Sequence, residues 1–63
     1  MRLATKIKSY QREGRPYRIA CDAWADNYSY EFYAIVCHES NVKPIEYFHF
    51  IALCNDLDDL YYQ

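Results

Sequence analysis

Five side chains in this 63-residue sequence are equipped for metal or nucleophile chemistry: Cys21, Cys37, Cys54, His38 and His49. Thiolates and imidazoles together make tetrahedral zinc sites, and a thiolate beside an imidazole is an activated nucleophile. The spacing supports neither. Structural zinc modules carry their ligands in close pairs, and here there is no Cys-x-x-Cys and no pair of histidines three to five residues apart. The plainer reading is that the cysteines are buried free thiols, which behave as small hydrophobes. A single glycine, Gly14, leaves no glycine-rich loop to bring backbone N–H groups against phosphates. No metal, no cofactor and no enzymatic activity are expected.

The remaining chemistry is that of binding. Tyrosine occurs eight times, more than a small core hides with every hydroxyl paired, so some tyrosines must reach the surface. Near the end of the chain Asp56, Asp58 and Asp59 precede Tyr61 and Tyr62. Carboxylates steer an encounter with a basic patch and tyrosines supply contact area, which points to a protein partner. The plainer alternative is a solvated helix end with its tyrosines packed inward. Charge is divided along the chain: Arg2, Lys6, Lys8, Arg12, Arg15 and Arg18 stand near the beginning, and from Ala20 onward Lys43 faces eight acids. The basic segment, interleaved with Tyr10 and Tyr17, has the character of a surface that tracks phosphates and stacks bases. The net charge of −2 counts against nucleic acid as the principal partner.

These side chains need elements to position them. Leu3, Ile7 and Tyr10 recur at helical spacing, which predicts a short basic helix over residues 2 to 12 ending at Gly14; a strand is the alternative. Tyr28, Tyr30, Phe32, Ala34 and Val36 alternate with other residues at a period of two, which predicts a strand. Closing a hairpin on Asp26-Asn27 pairs it with residues 17 to 25 and sets small residues opposite large ones. The reverse face of that hairpin gathers Trp24, Tyr33 and Ile35 and needs a cover. Ser40 or Asn41 is positioned to cap a final helix of about residues 43 to 61 with Pro44 in its first turn. Tyr47, Phe50, Cys54, Leu57 and Tyr61 form its apolar stripe, with a possible break near Asn55.

The expected fold is therefore α+β, one domain over residues 1 to 63, with an antiparallel hairpin packed on a C-terminal amphipathic helix. An all-helical, three-helix arrangement is the alternative. The expected function is a non-enzymatic regulator that binds a protein through Trp24, Tyr33, Tyr61, Tyr62 and the acids Asp56, Asp58 and Asp59. Small tyrosine-rich acidic chains of this kind are common among bacteriophages and mobile elements, where a modulator or inhibitor of a host protein is a natural role. The rival is nucleic-acid binding through the six N-terminal cations. A chain this short needs a disulfide, a metal or a second subunit to be robust, and a two-fold dimer is the simplest of these. An odd number of cysteines with no basic-then-apolar leader fits reduced thiols in a cytoplasm. The longest apolar stretch, residues 47 to 54, is far below the ~20 residues that span a bilayer, so no membrane partner is expected.

Overall fold

Two asparagines and the one glycine set the breaks in the chain. In the computed structural model, which describes residues 1–63, four helices follow one another: α1 (Leu3–Gln11), α2 (Arg15–Ala25), α3 (Tyr30–Glu39) and α4 (Tyr47–Tyr61). There is no strand, so the expected hairpin is overturned and its two halves are α2 and α3. The turn at Asp26-Asn27 is where the sequence places it, but it joins helices. Asn27 sits at φ 58°. Its N–H donates to the Trp24 carbonyl at 3.2 Å and the Tyr28 N–H to the Ala23 carbonyl at 2.9 Å. That pair of bonds is the Schellman closure of a helix, with asparagine in the left-handed position that glycine usually holds. Asn41, at φ 57°, ends α3 in the same way, with the Asn41 N–H on the His38 carbonyl and the Val42 N–H on the Cys37 carbonyl.

The helix starts are equally local. Gly14, at φ 130° and ψ −179°, is the N-cap of α2 with Pro16 just inside, a conformation essentially restricted to glycine. Ser29 caps α3 by accepting the Phe32 N–H at 3.2 Å. Ser40 and Asn41 thus close α3 and do not open the last helix, and Pro44 lies ahead of it in the connector. The final helix begins at Tyr47 and runs through Asn55 without a break.

Helix α2 is the hub, in contact with each of the other three. Its buried positions are Ala20, Cys21 and Ala23, small enough for neighbouring backbones to approach closely. The small residues that seemed to complement large ones across a hairpin serve this close approach. Around them pack Tyr33 and Cys37 from α3, Val42 and Ile45 from the connector, and Phe50, Leu53 and Leu57 from α4. The apolar stripe of α4 is thereby rotated from the expected one: Leu53 is fully buried, while Tyr47 and Tyr61 at its two ends are exposed. Helix α1 lies against α2 and α4, with Leu3, Ile7 and Tyr10 turned to the core as their spacing predicts.

Candidate functional site

Tyr33 is fully buried and lies at the centre of the molecule, so it cannot belong to a contact surface. Its hydroxyl donates to the Pro16 carbonyl at 2.8 Å and accepts the Ile45 N–H at 3.1 Å, tying the start of α2 to the connector before α4. Tyr30 supports the same connector by donating to the Ile45 carbonyl at 2.8 Å. Burial raises the Tyr33 hydroxyl above the ordinary range for tyrosine. The reverse sheet face that was to unite Trp24, Tyr33 and Ile35 does not exist, because helix geometry sends Tyr33 inward and Ile35 outward.

The other expected contact residues divide into two groups. Trp24, Asp58, Tyr61 and Tyr62 come together around a cleft of about 230 Å³, completed by Ala25 and Asn27. The Trp24 indole N–H donates to Asp58 Oδ1 at 2.8 Å. The Tyr61 ring stands edge-on to Trp24 at 6.0 Å and 78°, and Tyr62 stands edge-on to Tyr61 at 4.9 Å and 89°. Asp56 and Asp59 lie on another side of α4 and turn to α1. Asp56 accepts from the Tyr10 hydroxyl, and both acids share a small cleft with Met1, Lys6 and Leu60. Burial, then the hydrogen bond to Asp56, raises the Tyr10 hydroxyl above its usual range.

The basic segment is partly engaged within the molecule. Lys6 lies 5.1 Å from the centre of the Tyr10 ring. Arg15 donates to the Ser40 carbonyl and Arg18 to the Gln11 carbonyl, each at 3.3 Å. Tyr10 and Tyr17 stack on one another, with centroids 6.1 Å apart and planes within 6°. Arg2, Lys8 and Arg12 remain exposed.

The thiols and imidazoles are dispersed. Cys21 and Cys37 are buried, Cys54 is half-buried, all three are free, and His38 and His49 are exposed. No three histidine, cysteine or carboxylate side chains gather as a metal would need. Burial, with smaller contributions from Asp22 and Cys54, pushes the Cys21 thiol up to about 11. Burial also raises Cys54, with Asp58 adding to the effect.

A second surface is absent from the sequence reading. A groove of about 430 Å³ runs between the start of α3 and the outer side of α4, lined by Tyr28, Tyr30, Tyr47, Phe50, Ile51 and Cys54, with Ser29 and Glu31 at its edge. Its aromatic rim extends outward on both sides. Phe32 packs on Tyr28 at 4.4 Å and is 49% exposed, and Phe48 packs on Tyr47 at 5.6 Å and is 79% exposed. The signal was present in the alternation of residues 28 to 36. A period of two wound into a helix places apolar side chains on every side of it, including the side that faces water.

No helix of the molecule is long and apolar enough to cross a membrane. Comparison with protein-family models, with curated proteins and with solved structures finds no match to this chain.

Proposed function

We propose that this protein is a non-enzymatic regulator that binds another protein in the groove between α3 and α4. The supporting observation is the unpartnered aromatic rim of Tyr28, Phe32, Tyr47 and Phe48. At roughly 200 Å² for a whole aromatic side chain, the exposed parts of these four come to about 450 Å². A standard interface takes about 800 Å² from each partner, a little over half of it apolar. The rim is therefore the apolar share of one such interface. Helix α3 carries exposed apolar side chains, Phe32 and Ile35, outside as well as its buried ones inside, which is what an element with a missing neighbour looks like.

The chemistry of the rim selects the occupant. Glu31 is the only charged residue lining the groove, and Glu46 immediately precedes Tyr47. A segment with an apolar face and basic flanks, laid in as a helix, satisfies both features. A two-fold copy of this chain would present the same patch and set acid against acid, which disfavours self-docking here. Reduced thiols and a cytoplasmic setting fit the same reading. Nucleic-acid binding has less support, because the net charge of −2 lacks the strongly basic balance of such domains.

The test uses amphipathic helical peptides of equal apolar face, one flanked by lysines and one by glutamates, titrated into the wild-type protein and Phe48→Ser. Since Phe48 is mostly exposed, the variant should fold with stability within about 0.5 kcal/mol of wild type. The basic peptide should bind and should lose about tenfold in affinity, or about 1.4 kcal/mol, in Phe48→Ser. Equal binding of the acidic peptide, or indifference to Phe48→Ser, refutes the assignment. Sedimentation showing a dimer that Phe48→Ser dissolves would give the groove to a second copy instead.

A further inference from the structure

We infer that the cleft formed by Trp24, Asp58, Tyr61 and Tyr62 is a binding site for a quaternary ammonium group. It uses none of the residues of the α3–α4 groove, and it stands or falls separately from the function proposed above.

The walls are aromatic. Trp24 and Tyr61 meet edge to face at 78°, and Tyr61 and Tyr62 at 89°, so the three rings form one continuous aromatic run along the cleft. The electron-rich faces of such rings attract a cation held within about 6 Å of their centres, and tryptophan attracts it best. The floor carries a charge. Asp58 lines the cleft and no basic side chain does, whereas Asp56 and Asp59 have Lys6 and Tyr10 beside them. The indole N–H holds Asp58 Oδ1 in place. A carboxylate is thus fixed against the edge of the tryptophan with no partner of opposite charge among the residues around it.

The single charged acceptor selects the kind of cation. A primary ammonium carries three N–H donors that need acceptors. Among the lining residues the one charged acceptor is the Asp58 carboxylate, whose Oδ1 is already taken by the Trp24 indole N–H. A quaternary ammonium has no N–H to satisfy, is weakly hydrated, and gains both from the ring faces and from the single negative charge. The volume agrees with a head group. At about 230 Å³ the cleft is smaller than the roughly 300 to 1,000 Å³ that accommodates a drug-sized molecule. The group can come from a free choline-like molecule or from a trimethylated lysine on a protein, and the two sources share this chemistry.

Trp24 is the only tryptophan in the chain, so the emission of the intact protein reports on the cleft directly. Four probes suffice: choline, its neutral isostere 3,3-dimethylbutan-1-ol, a peptide carrying trimethyl-lysine, and the same peptide unmethylated. Choline or the trimethylated peptide should change the emission saturably, and the tighter of the two identifies the source. The neutral alcohol and the unmethylated peptide should each bind about tenfold more weakly than their charged or methylated counterparts. Tyr61→Leu keeps apolar bulk but removes a ring face, and Asp58→Asn removes the charge. Each should weaken binding by about tenfold with the far-ultraviolet circular dichroism unchanged. Tyr62→Leu serves in the same way should either variant misfold. Equal affinity for the neutral alcohol, equal affinity for unmodified lysine, or no saturable response to either ammonium up to about 10 mM overturns the inference.

Discussion

Tyr33 does with one hydroxyl what a turn or a ladder does elsewhere: it satisfies a carbonyl at the start of α2 and an N–H in the connector to α4. Because the side chain is fully buried, its loss leaves those groups without water as a substitute. Tyr33→Phe keeps the ring against Phe50, 4.8 Å away, and isolates the hydrogen bonds. It should cost about 2 kcal/mol, an unsatisfied buried group being worth about 1 to 3 kcal/mol, seen as a lower urea midpoint with unchanged slope. The sequence singles this residue out as important but assigns it to the surface. Burial of a tyrosine depends on whether its hydroxyl finds a partner, and both partners here are backbone groups 12 and 17 residues away. The sequence singles out Trp24 on the reverse face of the expected hairpin and Asp58, Tyr61 and Tyr62 as an acidic, aromatic chain end, and the structure sets these four around one cleft. Their meeting with one another depended on how α2 and α4 pack, which composition does not reveal.

At the scale of elements, the sequence locates the breaks well and the elements between them poorly. Asp26-Asn27 promises a residue in the left-handed region, and Asn27 is one. Hairpin turns and helix C-caps both require that conformation, so the signal alone does not choose between them. The choice then fell to the alternation of residues 28 to 36, which reads as a strand. The same residues also contain Tyr30, Tyr33 and Cys37 at helical intervals, with Ser29 ahead of them as a cap. Both periods are present because α3 is apolar on its inner and outer sides. Gly14 likewise marks a break, but it is the N-cap of α2 and not the C-cap of the first helix that its place after residue 12 suggests. An added Cβ there would meet nothing closer than Pro16 Cδ at 3.6 Å, so space is not the constraint. The backbone at φ 130° is, and Gly14→Ala should destabilise the protein by about 1 to 3 kcal/mol in thermal unfolding.

Across the whole molecule, protons are held more tightly in the folded state at four places, one on each helix: Tyr10 on α1, Cys21 on α2, Tyr33 on α3 and Cys54 on α4. Burial is the first cause in each. For Cys21 the shift is from 9.0 to about 11, so the unfolded chain releases its proton first as pH rises. Stability is fully present below pH 9 and declines through the window from 9 to about 11, with the two tyrosines extending the loss to higher pH. Urea midpoints should fall across this range, and Cys21→Ala should flatten the fall in its first half. The charge division along the chain, plain in the sequence, also acquires a structural meaning. The fold sets Lys6 of α1 in one cleft with Asp56 and Asp59 of α4, so the basic and acidic parts of the chain face each other there. That same cleft is lined by Met1 and Leu60, so the start of α1 and the last turn of α4 stand together at one end of the molecule.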